Sequence, residues 1–165
     1  MFRIVHNRLM IKGNGKDISD FLLSNLGYKN GYPNDRCFCF NAIVPWTRKY
    51  TLSKDWHIKY WGCDSDIHIS EKCIRKYLLP SQDEYNLFLI KQIIFDTHKN
   101  PPLKWLEKVS KMFPNLEFEL VCDPGWKGIF PILRYYYYQC SKGELTFRKR
   151  DSLDFIRYSY FVMQK

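Results

Sequence analysis

The segment from Leu87 to Cys122 reads LFLIKQIIFDTHKNPPLKWLEKVSKMFPNLEFELVC, and its pattern predicts the architecture of the chain. The first part, Leu87 to Asp96, is apolar and alternating, as in a β-strand. Pro101-Pro102 then starts a predicted helix that ends at Pro114. Five residues form the apolar face of this helix: Trp105, Leu106, Val109, Met112 and Phe113.

A second strand is predicted directly after this helix. Apolar residues alternate with Glu117 and Glu119 between Leu116 and Cys122, which is the period of a strand with one buried face. Strand, helix and strand in succession make a βαβ unit. Right-handed crossover geometry predicts two parallel strands with the helix on one face of their sheet.

The N-terminal part predicts a strand followed by a helix. Leu9 to Ile11 is a short β-like run, and the helix has apolar residues at helical spacing, namely Ile18, Phe21, Leu22 and Leu26. Asp17 is the predicted N-cap of this helix, and Gly27 is the predicted stop.

The middle and the C-terminal part contain weaker patterns. Cys37 to Pro45 predicts a short strand or an extended segment, because Pro45 ends strand pairing. Ser70 to Leu79 predicts one or two helical turns before Pro80. Two strands, Gly128 to Cys140 and Leu145 to Arg150, predict a hairpin around Ser141-Lys142-Gly143-Glu144. Residues 153–162 are interpreted as a terminal helix or strand.

This order of elements is typical of an α+β fold, the ferredoxin-like split βαβ sandwich. We predict a single domain over residues 1–165. In it, two main helices lie on one face of a largely antiparallel sheet, and an extra hairpin follows at the C-terminus.

Several short motifs together carry a family likeness: Asn7-x-Leu9-x-Ile11-x-Gly13, Ile43-x-Pro45, Trp56, Trp61-Gly62, Phe113-Pro114-x-Leu116-x-Phe118-x-Leu120 and Asp123-Pro124-Gly125. In their order and spacing, the chain resembles the YubB/Api92-like domain family over about residues 5–145, which leaves 146–165 as a C-terminal extension. The resemblance implies a ferredoxin-like fold and an origin on a phage or plasmid. It implies no catalytic residue.

Composition narrows the class of protein further. A hydrophobic content of 45% in 165 residues is enough for one core without disulfides or metals. The N-terminus lacks a signal-peptide pattern, and no apolar run is long enough to cross a membrane, so a cytoplasmic protein is expected. The six cysteines contain no CxxC pair and are interpreted as reduced, buried thiols.

A net charge of +9 favours nucleic acid as one candidate partner. Tyr135 to Tyr138 would place aromatic rings on both faces of a strand, where bases can stack. The candidate contacts are Arg48, Lys49, Lys127, Arg134, Tyr136, Tyr138, Arg148, Lys149 and Arg150.

Metal binding and catalysis are weaker hypotheses. The metal candidates are Cys37, Cys39, His57, Cys63, His68 and Cys73, but their spacing matches no closed zinc module. Asp96 with His98 resembles an acid–base pair, and Cys63 or Cys73 would be the nucleophile of a thiol mechanism. We predict no metal site, no cofactor and no catalytic residue.

The remaining hypothesis is a protein-binding module. Tryptophan, tyrosine and arginine are the residues enriched at interface hot spots, and Trp46, Trp56, Trp61 and Trp126 lie in or near predicted loops. The alternative, that these tryptophans complete the core, stays open. We predict a non-enzymatic protein that binds a host protein or ribonucleoprotein and inhibits a host defence system. The alternative is direct DNA or RNA binding, and the oligomeric state, homodimer included, is left open.

Overall fold

The computed structural model describes residues 4–28, 35–46, 53–123 and 135–150. The first elements in chain order are β1 (Ile4–Asn14), α1 (Gly15–Ser24), β2 (Leu26–Tyr28), β3 (Arg36–Phe38), α2 (Ser53–Tyr60), β4 (Ile69–Ser70) and α3 (Glu71–Cys73). They are followed by β5 (Phe88–His98), α4 (Leu103–Met112), β6 (Glu117–Asp123), β7 (Tyr135–Ser141) and β8 (Glu144–Arg150). Phe40–Ala42 and Gln82–Glu84 are single 3₁₀ turns, and α3 continues into a wider helical turn over Ile74–Leu78.

The larger sheet has five strands in the order β5-β1-β6-β7-β8, and every neighbouring pair is antiparallel. β1 pairs along its whole length with β5, and from His6 to Lys12 with β6. Since both neighbours run antiparallel to β1, β5 and β6 are parallel to each other. The predicted α+β class and the largely antiparallel sheet are therefore confirmed. The two parallel strands do not pair directly, because β1 lies between them.

Helices α1 and α4 cover the same face of this sheet. Alternate residues of β1, namely Val5, Asn7, Leu9 and Ile11, are buried on that face. The ring of Phe21 on α1 lies 5.3 Å from Phe118 on β6 and 6.5 Å from Trp105 on α4. The two predicted amphipathic helices thus share one core above the sheet.

Trp105 joins this core to the smaller sheet, β2-β3-β4. Its indole is fully buried, with ring centroids 4.6 Å from Phe40 and 6.2 Å from Phe38. Its backbone N–H donates to the carbonyl of Trp61, 3.1 Å away. Because fully buried apolar side chains contribute about 1.5–3 kcal/mol each, this cluster is a large share of the stability of the fold.

The predicted boundaries of the first helix are wrong at both ends. Asn14, not Asp17, is the N-cap, and Gly27 lies inside β2 instead of stopping the helix. The N–H groups of Gly15 and Lys16 donate to backbone carbonyls of the turn before β5, at 3.0 and 3.1 Å. Those donors therefore need no side-chain cap, and the helix begins two residues before Asp17.

Gly15 is required at this position by the close approach of two backbones. A Cβ atom there would collide with the carbonyl oxygen of Glu84. The turn before β5 can consequently pack directly on the start of α1, which positions β5 beside β1.

The structure of the middle of the chain agrees only in part with the predictions made from its weak patterns. The strand predicted within Cys37 to Pro45 is confined to β3, because the chain turns into the 3₁₀ segment after Cys39. The carboxylate of Asp66 holds this turn by accepting from the N–H of Phe40 at 2.6 Å and of Asn41 at 3.2 Å. Burial raises the pKa of Asp66 above its ordinary value.

The short helical segment before Pro80 is confirmed. Ser70 caps it, and its Oγ accepts from the N–H of Cys73 at 3.3 Å. Within the described ranges, no helix is long and apolar enough to span a bilayer. The predicted turn at Asp123-Pro124-Gly125 extends beyond the described residues, and residues 128–134 and 153–162 lie outside them.

We expect the aromatic and aliphatic core around α4 to carry the stability of the fold. Leu106 is fully buried and Met112, on the same helix, is 48% exposed. Leu106→Ala should lower the free energy of unfolding by about 2–5 kcal/mol, because it leaves a cavity. Met112→Ala should change it by less than about 0.5 kcal/mol. Urea denaturation measures both, and equal losses would contradict this description of the core.

Candidate functional site

The candidate site lies on the hairpin of β7 and β8. Its turn has two central residues, Lys142 and Gly143, with φ of 50° and 82°. Two consecutive positive φ angles define the type I′ turn that matches the twist of paired strands. The pairing of Ser141 with Glu144 then sets the register of the whole hairpin and places Phe147 opposite Tyr138.

Tyr136, Tyr138 and Phe147 form an aromatic cluster, called here the aromatic hairpin. The Phe147 ring lies 5.3 Å from Tyr138 and 6.0 Å from Tyr136. The two tyrosines are half-buried against the core, whereas Phe147 is 53% exposed. Burial raises the pKa of Tyr138 above its ordinary value. The cluster thus combines an apolar surface with hydroxyl groups.

Helix α4 fixes the position of the hairpin through Ser110. The Oγ of this residue accepts from the N–H of Gly143 at 2.8 Å and lies 3.1 Å from the Sγ of Cys140. Both Ser110 and Cys140 are fully buried. The turn is therefore bonded to the core, and the aromatic hairpin is presented on a rigid support.

The three basic residues predicted to bind a partner are at the end of β8. In the strand register, Arg148 pairs with Tyr137, Lys149 with Tyr136 and Arg150 with Tyr135. The structure therefore brings these residues into the same hairpin as the predicted Tyr136 and Tyr138. The other predicted contacts lie outside the described residues: Arg48, Lys49, Trp126, Lys127 and Arg134.

The two tryptophans predicted as partner anchors are in the core. Trp61 is 2% exposed and Trp56 is 9% exposed. The indole of Trp61 stacks on His57 with a centroid distance of 4.2 Å and donates to the carbonyl of Val44 at 2.9 Å. A buried indole has no free face for a partner, so neither tryptophan belongs to the candidate surface. Trp46 is half-buried and packs against the same core.

The cysteines and histidines considered for a metal site are dispersed. In the part of the chain that the structure describes, no three His, Cys, Asp or Glu residues converge as ligands would. Burial raises the pKa values of Cys39 and Cys63 to about 12, so both thiols are protonated at neutral pH. Thiolates, not thiols, bind metals and attack carbonyls. Cys63 is therefore unsuited to the nucleophilic role considered for it.

The Asp96 and His98 pair is also arranged differently from the acid–base hypothesis. Asp96 Oδ1 lies 2.7 Å from Nδ1 of His6 on the neighbouring strand. Both side chains are 56% exposed. The carboxylate therefore orients His6 on the open surface of the sheet.

Phe147 and a group of apolar residues on β5 are exposed but are not among the predicted contacts. Phe147 could have been found, because the two-residue turn at Lys142-Gly143 puts it opposite Tyr138. The apolar group lies on β5, where Phe88, Ile90 and Ile94 are 57–68% exposed. Its apolar run resembles that of a buried strand, so the sequence contains no signal of this exposure.

No protein-family model, curated protein or solved structure gives a significant match to the chain.

We expect a single fast-reacting thiol in the native protein. Cys73 is exposed, while the other five cysteines are buried. At about pH 8, Ellman's reagent should label one thiol quickly and the others only after denaturation. Cys73→Ser should remove the fast phase, and a native fast phase of two or more thiols would contradict the described burial.

Proposed function

We propose that the protein is a non-enzymatic binding protein of a mobile element, and that its aromatic hairpin binds a host protein or ribonucleoprotein. The observation that carries the proposal is the exposure of Phe147 beside Tyr136 and Tyr138. Aromatic side chains are among the residues most enriched at the centre of an interface hot spot. A rigid support lowers the entropic cost of binding, and Ser110 supplies such a support through Gly143.

The choice of a host partner rests on the resemblance to the YubB/Api92-like family. The position of β1 between the parallel strands β5 and β6, with α1 and α4 on one face, supports a ferredoxin-like fold. We therefore propose a phage or plasmid protein that acts in the host cytoplasm. A host defence complex is the partner that such a protein would inhibit by occupying its surface.

One third of the net charge of +9 lies on the described residues. Within the described ranges, 18 Lys and Arg residues are balanced by 15 Asp and Glu residues. Several of the cations are held in ion pairs: Lys12 with Glu119, Lys16 with Asp20, Arg75 with Glu71 and Lys104 with Glu107. A protein that binds through phosphate contacts needs several available cations on one surface.

Direct nucleic-acid binding is the second candidate function, and one observation favours it. Arg148, Lys149 and Arg150 lie in register with the tyrosines of β7. Aromatic rings that stack on bases, together with cations that contact phosphates, are the usual components of single-strand binding surfaces. The two functions use the same hairpin and differ in their dependence on salt.

The proposed function is tested by truncating the exposed ring of the aromatic hairpin. Phe147→Ala should abolish capture of a stoichiometric partner from host lysate, with or without nuclease, because hot-spot truncations cost about 2 kcal/mol or more. Met112→Ala is the matched control, since Met112 is similarly exposed but lies on α4, and it should retain the partner. Absence of a partner for the unmodified protein, or its equal capture by Phe147→Ala, would refute the proposal.

The second candidate is tested with a labelled random-sequence oligonucleotide at about 50 mM and 200 mM salt. We expect no binding at either concentration if the protein recognises a host protein. Affinity that falls steeply with salt, and that the double change Lys149→Ala and Arg150→Ala lowers further, would favour direct nucleic-acid binding.

A further inference from the structure

Strand β5 has the sequence of a central strand but lies at an edge of the sheet. Leu89, Ile93 and Phe95 occupy its helix-covered face, and Phe88, Ile90 and Ile94 occupy the other. Apolar residues on both faces are typical of strands that are covered on both sides. In this chain the second apolar row is open, with exposures of 68%, 57% and 65%.

The outer edge of β5 is suited to pairing with another strand. Among the described residues, β5 pairs with β1 alone, over all eleven of its residues. Edge strands usually carry proline, a bulge or outward-pointing charges that prevent association. β5 has no proline, its pairing with β1 is continuous, and its one lysine, Lys91, belongs to the helix-covered row. The one carboxylate of the open row, Asp96, lies 2.7 Å from His6 of β1.

We propose that a second copy of this chain pairs with this edge, β5 against β5, to form a symmetric dimer. The two-fold axis passes through Gln92, perpendicular to the sheet. Ile90 then lies opposite Ile94 of the second copy, so that four isoleucines surround the axis. The two Gln92 side chains meet on the axis, where amides can hydrogen-bond to each other.

Charge is compatible with this register and excludes one of its neighbours. With the axis at Gln92, Lys91 lies opposite Ile93, and Asp96 lies opposite Phe88, so no like charges are paired. Moving the axis to Lys91 would place two ammonium groups directly opposite each other, which destabilises a strand pair. A self-complementary edge of this kind fits a second copy, because a two-fold interface uses the same surface on both chains.

Edge pairing covers the backbone edges of both strands and the flanks of Ile90 and Ile94 that face the second copy. The outward side of the apolar row stays accessible in the dimer.

The proposed dimer goes beyond the proposed function. It leaves the aromatic hairpin accessible to a partner. It would continue the sheet to ten strands, from β8 of one chain to β8 of the other. At about 4.8 Å per strand, the two aromatic hairpins would lie roughly 43 Å apart along the sheet. A partner with two binding sites would then be bound with increased avidity.

A cysteine on the axis tests this register directly. In a Cys73→Ser background, Gln92→Cys should form a disulfide-linked dimer under mild oxidation. Opposite Cα atoms in antiparallel strands are about 4.5–5.5 Å apart, within the range of a disulfide. Thr146→Cys, an exposed residue of β8, is the control and should cross-link at least tenfold more slowly. Equal cross-linking rates would overturn the proposal.

Light scattering tests the dimer without cysteine chemistry. The unmodified chain of 20.0 kDa should elute with twice that mass, and the double change Ile90→Lys and Ile94→Lys should reduce it to the monomer. Both residues are exposed, so circular dichroism should show an unchanged fold. A monomeric unmodified protein at about 100 μM would overturn the proposal. This holds even if β5 of the monomer binds a different protein.

Discussion

The packing of Trp105 is the interaction on which the rest of the structure depends. Its fully buried indole contacts Phe21 of α1, Phe38 of β3 and Phe40 of the following 3₁₀ turn. Helix α4 is thereby joined to the first helix and to the small sheet at one point. Because interiors are close-packed, the positions of these elements cannot change independently. The face of the large sheet beneath them is consequently closed.

Because helices cover one face of the large sheet, both candidate surfaces lie at its edges. Its first edge, β5, presents a row of aliphatic side chains, and its last strands, β7 and β8, present the aromatic hairpin. The two surfaces differ in chemistry, because one is a row of apolar side chains and the other combines aromatic rings with phenol hydroxyl groups. The two proposals therefore concern different edges of the same sheet.

The candidate site was predictable where it depends on local sequence. Tyr136 and Tyr138 are candidates because a run of tyrosines places rings on both faces of a strand, and the turn at Lys142-Gly143 determines the register. Trp56 and Trp61 lie in or near predicted loops, yet both pack in the core. Periodicity could not decide this, because their burial comes from residues distant in the chain, among them Phe40 at 6.0 Å from Trp61.

The sequence by itself determined the elements that form within a few residues of each other. Alternation and the positions of the prolines were sufficient to predict β5, α4 and β6, and the turn-forming residues were sufficient to predict the hairpin. Only the tertiary structure decided that β1 lies between β5 and β6, and hence that an apolar strand is left at an edge. Strand pairing joins residues about 90 positions apart, such as Asn7 and Phe95. The hydrogen bonds use backbone groups that every residue has, so the sequence does not show which strands pair.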